Sequence, residues 1–178
     1  MYKELLKLAR IAIKAELNGK EIKITDSYKK SFNKNGACFV TLTIDRELRG
    51  CIGTLEAHQE LWKDVIDNSL HAAFDDPRFS PLDKSELEKI KIEISILTEP
   101  KRLDYNGPED LLKKIDKKMG IILRKGYRSA TFLPQVWDDL PDKQDFLGHL
   151  CLKAGLNQES WKEGCEVWFY RVVSVKEE

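Results

Sequence analysis

Net charge is the first thing this sequence lacks. Thirty Lys and Arg balance thirty Asp and Glu, and the isoelectric point falls near 6.8. With no overall field to draw in a polyanion, nonspecific nucleic-acid binding is disfavoured. A long apolar run is missing too. The most apolar opening, MYKELLKLARIAIKAEL, has acids and bases threaded through it, so it reads neither as a signal peptide nor as a membrane span, and the expected place is the cytosol with no membrane partner. Cysteine is scarce and badly spaced for metal: Cys38, Cys51, Cys151 and Cys165 form no CxxC pair, which argues against a zinc knuckle or a disulfide framework. There is no internal repeat and no low-complexity stretch. What remains is a chain of 178 residues, long enough for one sizeable core or a core plus a small subdomain.

The hydrophobic pattern supplies the elements. Leu5, Leu8, Ala9, Ala12, Ile13 and Leu17 recur at helical spacing and stop at Asn18-Gly19. After an expected turn at NKNG (33 to 36), Cys38, Val40, Leu42 and Ile44 alternate with Phe39, Thr41 and Thr43, a strand that Asp45-Arg46-Glu47 turns back into LRGCIGTL (48 to 55) as a hairpin. A second helix runs from Gln59 to Phe74 and halts before DDPRFSPL (75 to 82), whose two prolines deny its continuation. Alternation is sharpest in IKIEISIL, with Ile90, Ile92, Ile94 and Ile96 on one face. Gly107-Pro108-Glu109-Asp110 opens a short helix, GIILRKGYRSATFLP reads as two strands, Lys143 to Ala154 as a helix, and CEVWFYRVVSVK as one long closing strand. Turns this short join antiparallel strands, so the expected class is α+β with a largely antiparallel sheet packed with helices. The stretch from about Pro100 to Pro141 is bounded by prolines and polar links and reads as a smaller lobe or as an extension of the sheet.

LRGCIGTL is the segment that asks for an explanation. Glycine weakens a strand interior, so Gly50 and Gly53 need a reason: a ligand approaching bare backbone, or a close-packed neighbour. On the first reading Gly53→Val spares the fold and abolishes binding. Cys51 between them is a candidate catalytic thiol, with Arg49 two residues away to stabilise a thiolate, although packing is the commoner role for a strand cysteine. A general base is hard to find among His58, His71 and His149. His71 stands four residues after Asp67, an ordinary exposed helical pair. Asp76 and Arg78 of DDPRFSPL form a second cluster, suited either to an anion or to each other. Glu93, a carboxylate on the polar face of the isoleucine strand, needs a partner such as Arg49 or Arg78. Trp62, Trp137, Trp161 and Trp168 are scattered and read as packing.

In order, LRGCIGTL, AAFDDPRFSPL, IEISILTEP, ATFLPQV and FLGHLCLKAGL resemble the AMMECR domain family, also called protein A of the AmmeMemoRadiSam system, nearly from end to end. The resemblance implies a cytosolic α+β domain of two unequal lobes, the larger holding both chain ends, with RGCIG beside a cleft between them. It also implies association with Memo-type and radical-SAM proteins. Three functions are open on this reading. The first is an enzyme or enzyme component acting on a small anionic or nucleotide-like metabolite near Arg49, Gly50, Cys51, Gly53, Thr54, Asp76, Arg78 and Glu93. The second is a non-catalytic partner of those proteins, docking through RGCIG. The third is an RNA-binding module, which neutrality makes least favoured unless charge is segregated on one face.

Overall fold

The computed structural model describes residues 2–178, which fall into two compact units, 2–97 with Val173–Glu178, and Thr98–Val172. In the first unit α1 (Lys3–Leu17) buries the apolar stripe read from its sequence and ends at Gly19, whose φ of +60° is the left-handed stop that glycine supplies without strain. After α2 (Asp26–Ser31), β1 (Asn35–Ile44) and β2 (Glu47–Gly53) form the expected hairpin. Its two turn residues, Asp45 and Arg46, both carry positive φ (51° and 71°), as a tight hairpin turn requires. β1 starts earlier than the NKNG turn suggested, because Asn35 and Gly36 pair with the two-residue strand β3 (Gln59–Glu60). α3 (Leu61–Leu70) then runs on into a single π-turn, His71–Asp75. β4 (Lys91–Leu97) lies antiparallel to β1 along its length.

The second unit contains β5 (Lys101–Arg102), α4 (Gly107–Lys114), β6 (Gly120–Lys125), β7 (Arg128–Phe132), α5 (Val136–Asp139), α6 (Lys143–Lys153), a 3₁₀ turn (Ser160–Lys162) and β8 (Glu166–Tyr170). Its antiparallel sheet runs β5-β8-β6-β7. One face carries Ile121, Leu123 and Val167 against Leu111, Phe146, Leu147 and Leu150. The stretch from about 100 to 141 lies inside this unit, which continues to Val172 because β8, an inner strand of its sheet, comes from beyond that stretch.

The closing segment is not one strand. It breaks at Arg171 into β8 and β9 (Val172–Lys176), and β9 joins β4 in the first sheet, whose order is β2-β1-β4-β9. At the break the Arg171 N–H donates to Thr98 Oγ1 (2.8 Å), the Thr98 N–H donates to the Arg171 carbonyl (2.8 Å), and Asp116 takes the guanidinium (2.8 Å). Alternation continues across Arg171 in the sequence, so periodicity alone joins what the sheets separate. Among the described residues no helix is long and apolar enough to cross a membrane.

Candidate functional site

β2 is an outer strand of the first sheet, and an outer strand leaves backbone donors and acceptors without a neighbour. At Cys51 both are taken by side chains. The Cys51 N–H donates to Asp76 Oδ2 (2.9 Å), and its carbonyl accepts from Arg78 Nη2 (3.2 Å). Asp76 also accepts from the Arg78 N–H (3.1 Å), Nε (2.9 Å) and Nη2 (2.7 Å). The Asp76–Arg78 pair therefore stands where one residue of a neighbouring strand would pair. Asp76 is 4% exposed, and the Arg78 guanidinium, with the backbone N–H groups of Cys51 and Arg78, holds its carboxyl well below the ordinary range. Arg78 itself is half in water, with 53% of its side chain exposed and no hydrogen bond on Nη1 among the described residues.

Cys51 is half-buried and faces Thr41 across the ladder, with Sγ 3.3 Å from Thr41 Oγ1. Thr41 in turn faces Glu93 on β4, so Cys51, Thr41 and Glu93 form one row across three strands. Glu93 lines an open groove of about 600 Å³ with Thr43, Lys91 and Lys176. It pairs with neither arginine proposed for it, because both are occupied: Arg78 by Asp76 and Arg49 by Glu86.

Arg49 departs from the sequence expectation. The ladder slips between Leu42 and Thr43, so Leu42 pairs with Gly50 and Thr43 with Leu48, leaving Arg49 as the extra residue of a β-bulge. A bulge re-aims a side chain, and Arg49 turns to a bidentate pair with Glu86 (2.7 and 2.9 Å) and to the Ser80 carbonyl (2.9 Å). Its side chain is 13% exposed, and Nη1 is buried with no hydrogen-bond partner among the described residues. Its hydrogen bond holds Glu86 below the usual carboxylate range. Arg49 thus fastens the 80–86 loop to the strand, and Arg78 is the cation beside Cys51.

The two glycines answer to packing. A Cβ on Gly50 would stand 2.0 Å from the carbonyl oxygen of Ala72 in the π-turn, so α3's extension rests directly on this strand. A Cβ on Gly53 would meet the ring of Phe39, its cross-strand partner, at 2.3 Å and the Cys38 carbonyl at 2.6 Å. Neither side is left bare for a ligand, which corrects the expectation that Gly53→Val spares the fold.

Thr54 belongs to a buried network that the sequence reading missed. Asp64 Oδ2 accepts from the Cys38 N–H (2.9 Å), the Thr54 hydroxyl (2.7 Å) and Asn68 Nδ2 (3.0 Å), while Asn68 also donates to the Cys38 carbonyl (3.2 Å). Asp64 and Asn68 are 1% and 2% exposed. Burial, then the Asp64 charge, pushes the Cys38 thiol up, so it stays protonated. The signal was present: Leu61, Asp64, Val65, Asn68 and Ser69 share the inward face of α3, and three polar residues in a buried stripe, Asp64, Asn68 and Ser69, announce satisfied hydrogen bonds.

None of the three histidines is hydrogen-bonded to a cysteine. His71 lies 4.0 Å from Asp75 rather than beside Asp67, which accepts from Gln59. His149 Nδ1 faces the Asp145 carbonyl, and His58 sits in the exposed link after β2. Trp137 and Trp161 are buried in the second unit's core, Trp137 stacked on Phe146 with centroids 3.6 Å apart. No group of three or more His, Cys, Asp or Glu among the described residues is placed to hold a metal ion.

Comparison with known proteins bears on the whole chain. The AMMECR1 family model matches residues 6–175. Protein NEQ441 of Nanoarchaeum equitans is 41% identical over 88% of this chain and 89% of its own. Protein MK0488 of Methanopyrus kandleri is 42% identical over 98% of this chain and 87% of its own. The crystal structure of an uncharacterized protein, PH0010 from Pyrococcus horikoshii, superposes with a TM-score of 0.80 at 33% identity, covering 98% of this chain and 90% of that one.

Proposed function

From the premise that the chain belongs to the AMMECR1 family, we propose that it is an enzyme or enzyme component that receives a small anionic, nucleotide-like metabolite at the Cys51 edge of its first sheet. The observation that carries this is Arg78. Asp76 is buried and saturated on its inner side, so the pair turns its positive end outward, and Nη1, with no partner among the described residues, can meet an oxyanion next to a half-exposed thiol. Thr41 adds a hydroxyl on the same row. Asp76 fixes the guanidinium before any ligand arrives, which reduces the ordering lost on binding.

The test uses Cys51 as a reporter, located by peptide mapping after partial alkylation. Anionic iodoacetate should react at Cys51 faster, relative to neutral iodoacetamide, than it does with glutathione. Arg78→Gln should bring that ratio to the glutathione value, and millimolar ADP should slow both reagents in the wild type only. A wild-type ratio equal to glutathione's sinks the reading.

A second reading has its own observation. Leu48 and Leu55, at the two ends of the segment, are each 41% exposed, two apolar positions that a docked protein such as the Memo-type or radical-SAM partners would cover. Co-elution with a purified Memo-type protein that Leu48→Lys abolishes would favour it over the metabolite site.

A further inference from the structure

We propose that the tip of the β6–β7 hairpin in the second unit takes single-stranded nucleic acid, stacking a base on Tyr127 and holding the adjoining phosphates with Arg124, Lys125 and Arg128. This surface belongs to the second unit, and the proposal does not rest on the function of the Cys51 edge.

Tyr127 is 92% exposed, more than twice the exposure of Leu48 or Leu55. Gly126, at φ +60°, makes the turn that sets the ring at the apex. Aromatic rings carry most of their contact energy in their faces, and a face left in water on a rigid two-strand support is a platform for another flat ring.

The cations around it are held by groups that leave their charge uncompensated. Arg128 lies with Cζ 5.8 Å from the Tyr127 ring centroid, and Arg124 is 5.4 Å from that of Trp168. Lys125 Nζ donates to the Glu163 backbone carbonyl (3.0 Å), and Lys153, on α6 beside β7, donates to the Thr131 carbonyl (2.9 Å). Glu166 stands opposite Arg124 in the ladder, and its carboxylate is 3.8 Å from Arg102. The chain's neutrality does not speak against the patch, because screening at physiological salt limits the field a phosphate feels to charges within about 8 Å. Three cations and one ring within five residues are thus a local polyanion site.

The same features select among polyanions. A duplex keeps its bases stacked on each other and offers no free face to Tyr127. A lipid surface needs more apolar area than one tyrosine brings. An unpaired base beside its own phosphates matches both the ring and the guanidinium groups.

The full chain is titrated into a fluorescein-labelled oligouridylate of eight nucleotides, followed by anisotropy between 50 and 200 mM KCl. Binding should weaken with salt at a log–log slope of about −2, the value for three phosphate contacts to a single strand. Tyr127→Ala should weaken binding at least about fivefold with the slope unchanged, the lower range for one lost stack. Arg124→Gln with Arg128→Gln should flatten the slope by about 1.4. All three positions are exposed, and unchanged circular dichroism and continued protection of Cys151, buried in the same unit's core, from a bulky thiol reagent show that the variants are folded. No binding at 50 mM KCl, an unaltered affinity in Tyr127→Ala, equal affinity for a duplex of the same length, or capture of phosphatidylserine vesicles without capture of the oligonucleotide would each overturn the proposal.

Discussion

Asp76 accepts four hydrogen bonds on a carboxylate almost closed to water, and its pKa is depressed. The native state therefore takes up its proton less readily than the unfolded chain, so stability rises with pH. This contribution is complete above the unfolded value of about 4 and is lost as pH falls below it. Urea midpoints of the wild type should drop more steeply from pH 5 to pH 3 than those of Asp76→Asn, which should already be weaker by about 1.5–3 kcal/mol at pH 7, the range for hydrogen bonds to a charged group. Parallel curves would mean that the pair is not intact in solution. The thiols make a second prediction at this scale. Burial pushes Cys151 up to about 11 and Cys38 further, so a bulky thiol reagent should leave both untouched in the native protein while labelling Cys51. Native labelling of Cys38 would contradict the Asp64 network.

For the β1–β2 hairpin, conformation and packing set the consequences of mutation. Arg46 holds φ at 71°, a region that a side chain enters at roughly 1–2 kcal/mol. Arg46→Gly should raise stability by about 0.5–1 kcal/mol after the glycine's extra unfolded-state entropy is subtracted, read as a higher urea midpoint at constant slope. A fall in the midpoint would show that Arg46 makes a contact worth more than the strain. Gly50 behaves in the opposite way, because the atom it would strike is backbone. Gly50→Ala has no side-chain rotation to relieve it and should destabilise by about 3 kcal/mol or more, at or beyond the usual range for overpacking, or fail to fold. A stable Gly50→Ala protein would require the π-turn to move off β2.

The whole chain leaves its first unit at Leu97, builds a second core over Thr98–Val172, and returns to finish the first sheet with β9. The return is fastened beyond β9. Glu177 receives Arg10 through two hydrogen bonds (2.8 and 2.6 Å), accepts the Ile92 N–H (3.0 Å), and its pKa is lowered by Arg10 against the opposing effect of burial. Arg10 also donates to the carbonyls of Leu87 and Ile90. Arg10→Met should therefore weaken the first unit by about 1.5–3 kcal/mol. In native-state hydrogen exchange the loss should appear at Ile92 and its neighbours, while Leu123 and Val167, in the other core, keep their protection. Equal loss in both units would show that they unfold as one.

The sequence by itself determined the local elements. Helical spacing placed α1, α3 and α6, alternation placed β1 and β4, and Asp45-Arg46-Glu47 placed the hairpin turn to within one residue, Glu47 already being the first residue of β2, because periodicity and turn chemistry act over a few residues. It also carried the family resemblance through LRGCIGTL and DDPRFSPL. Which residues meet across the fold was decided only by the tertiary structure. A one-residue bulge turned Arg49 from Cys51 to Glu86, the π-turn gave Gly50 its purpose, and the closing strand split at Arg171 between two sheets. Each of these rests on contacts between segments separated by twenty to more than seventy residues, where long-range packing decides and local pattern carries no record of the neighbour.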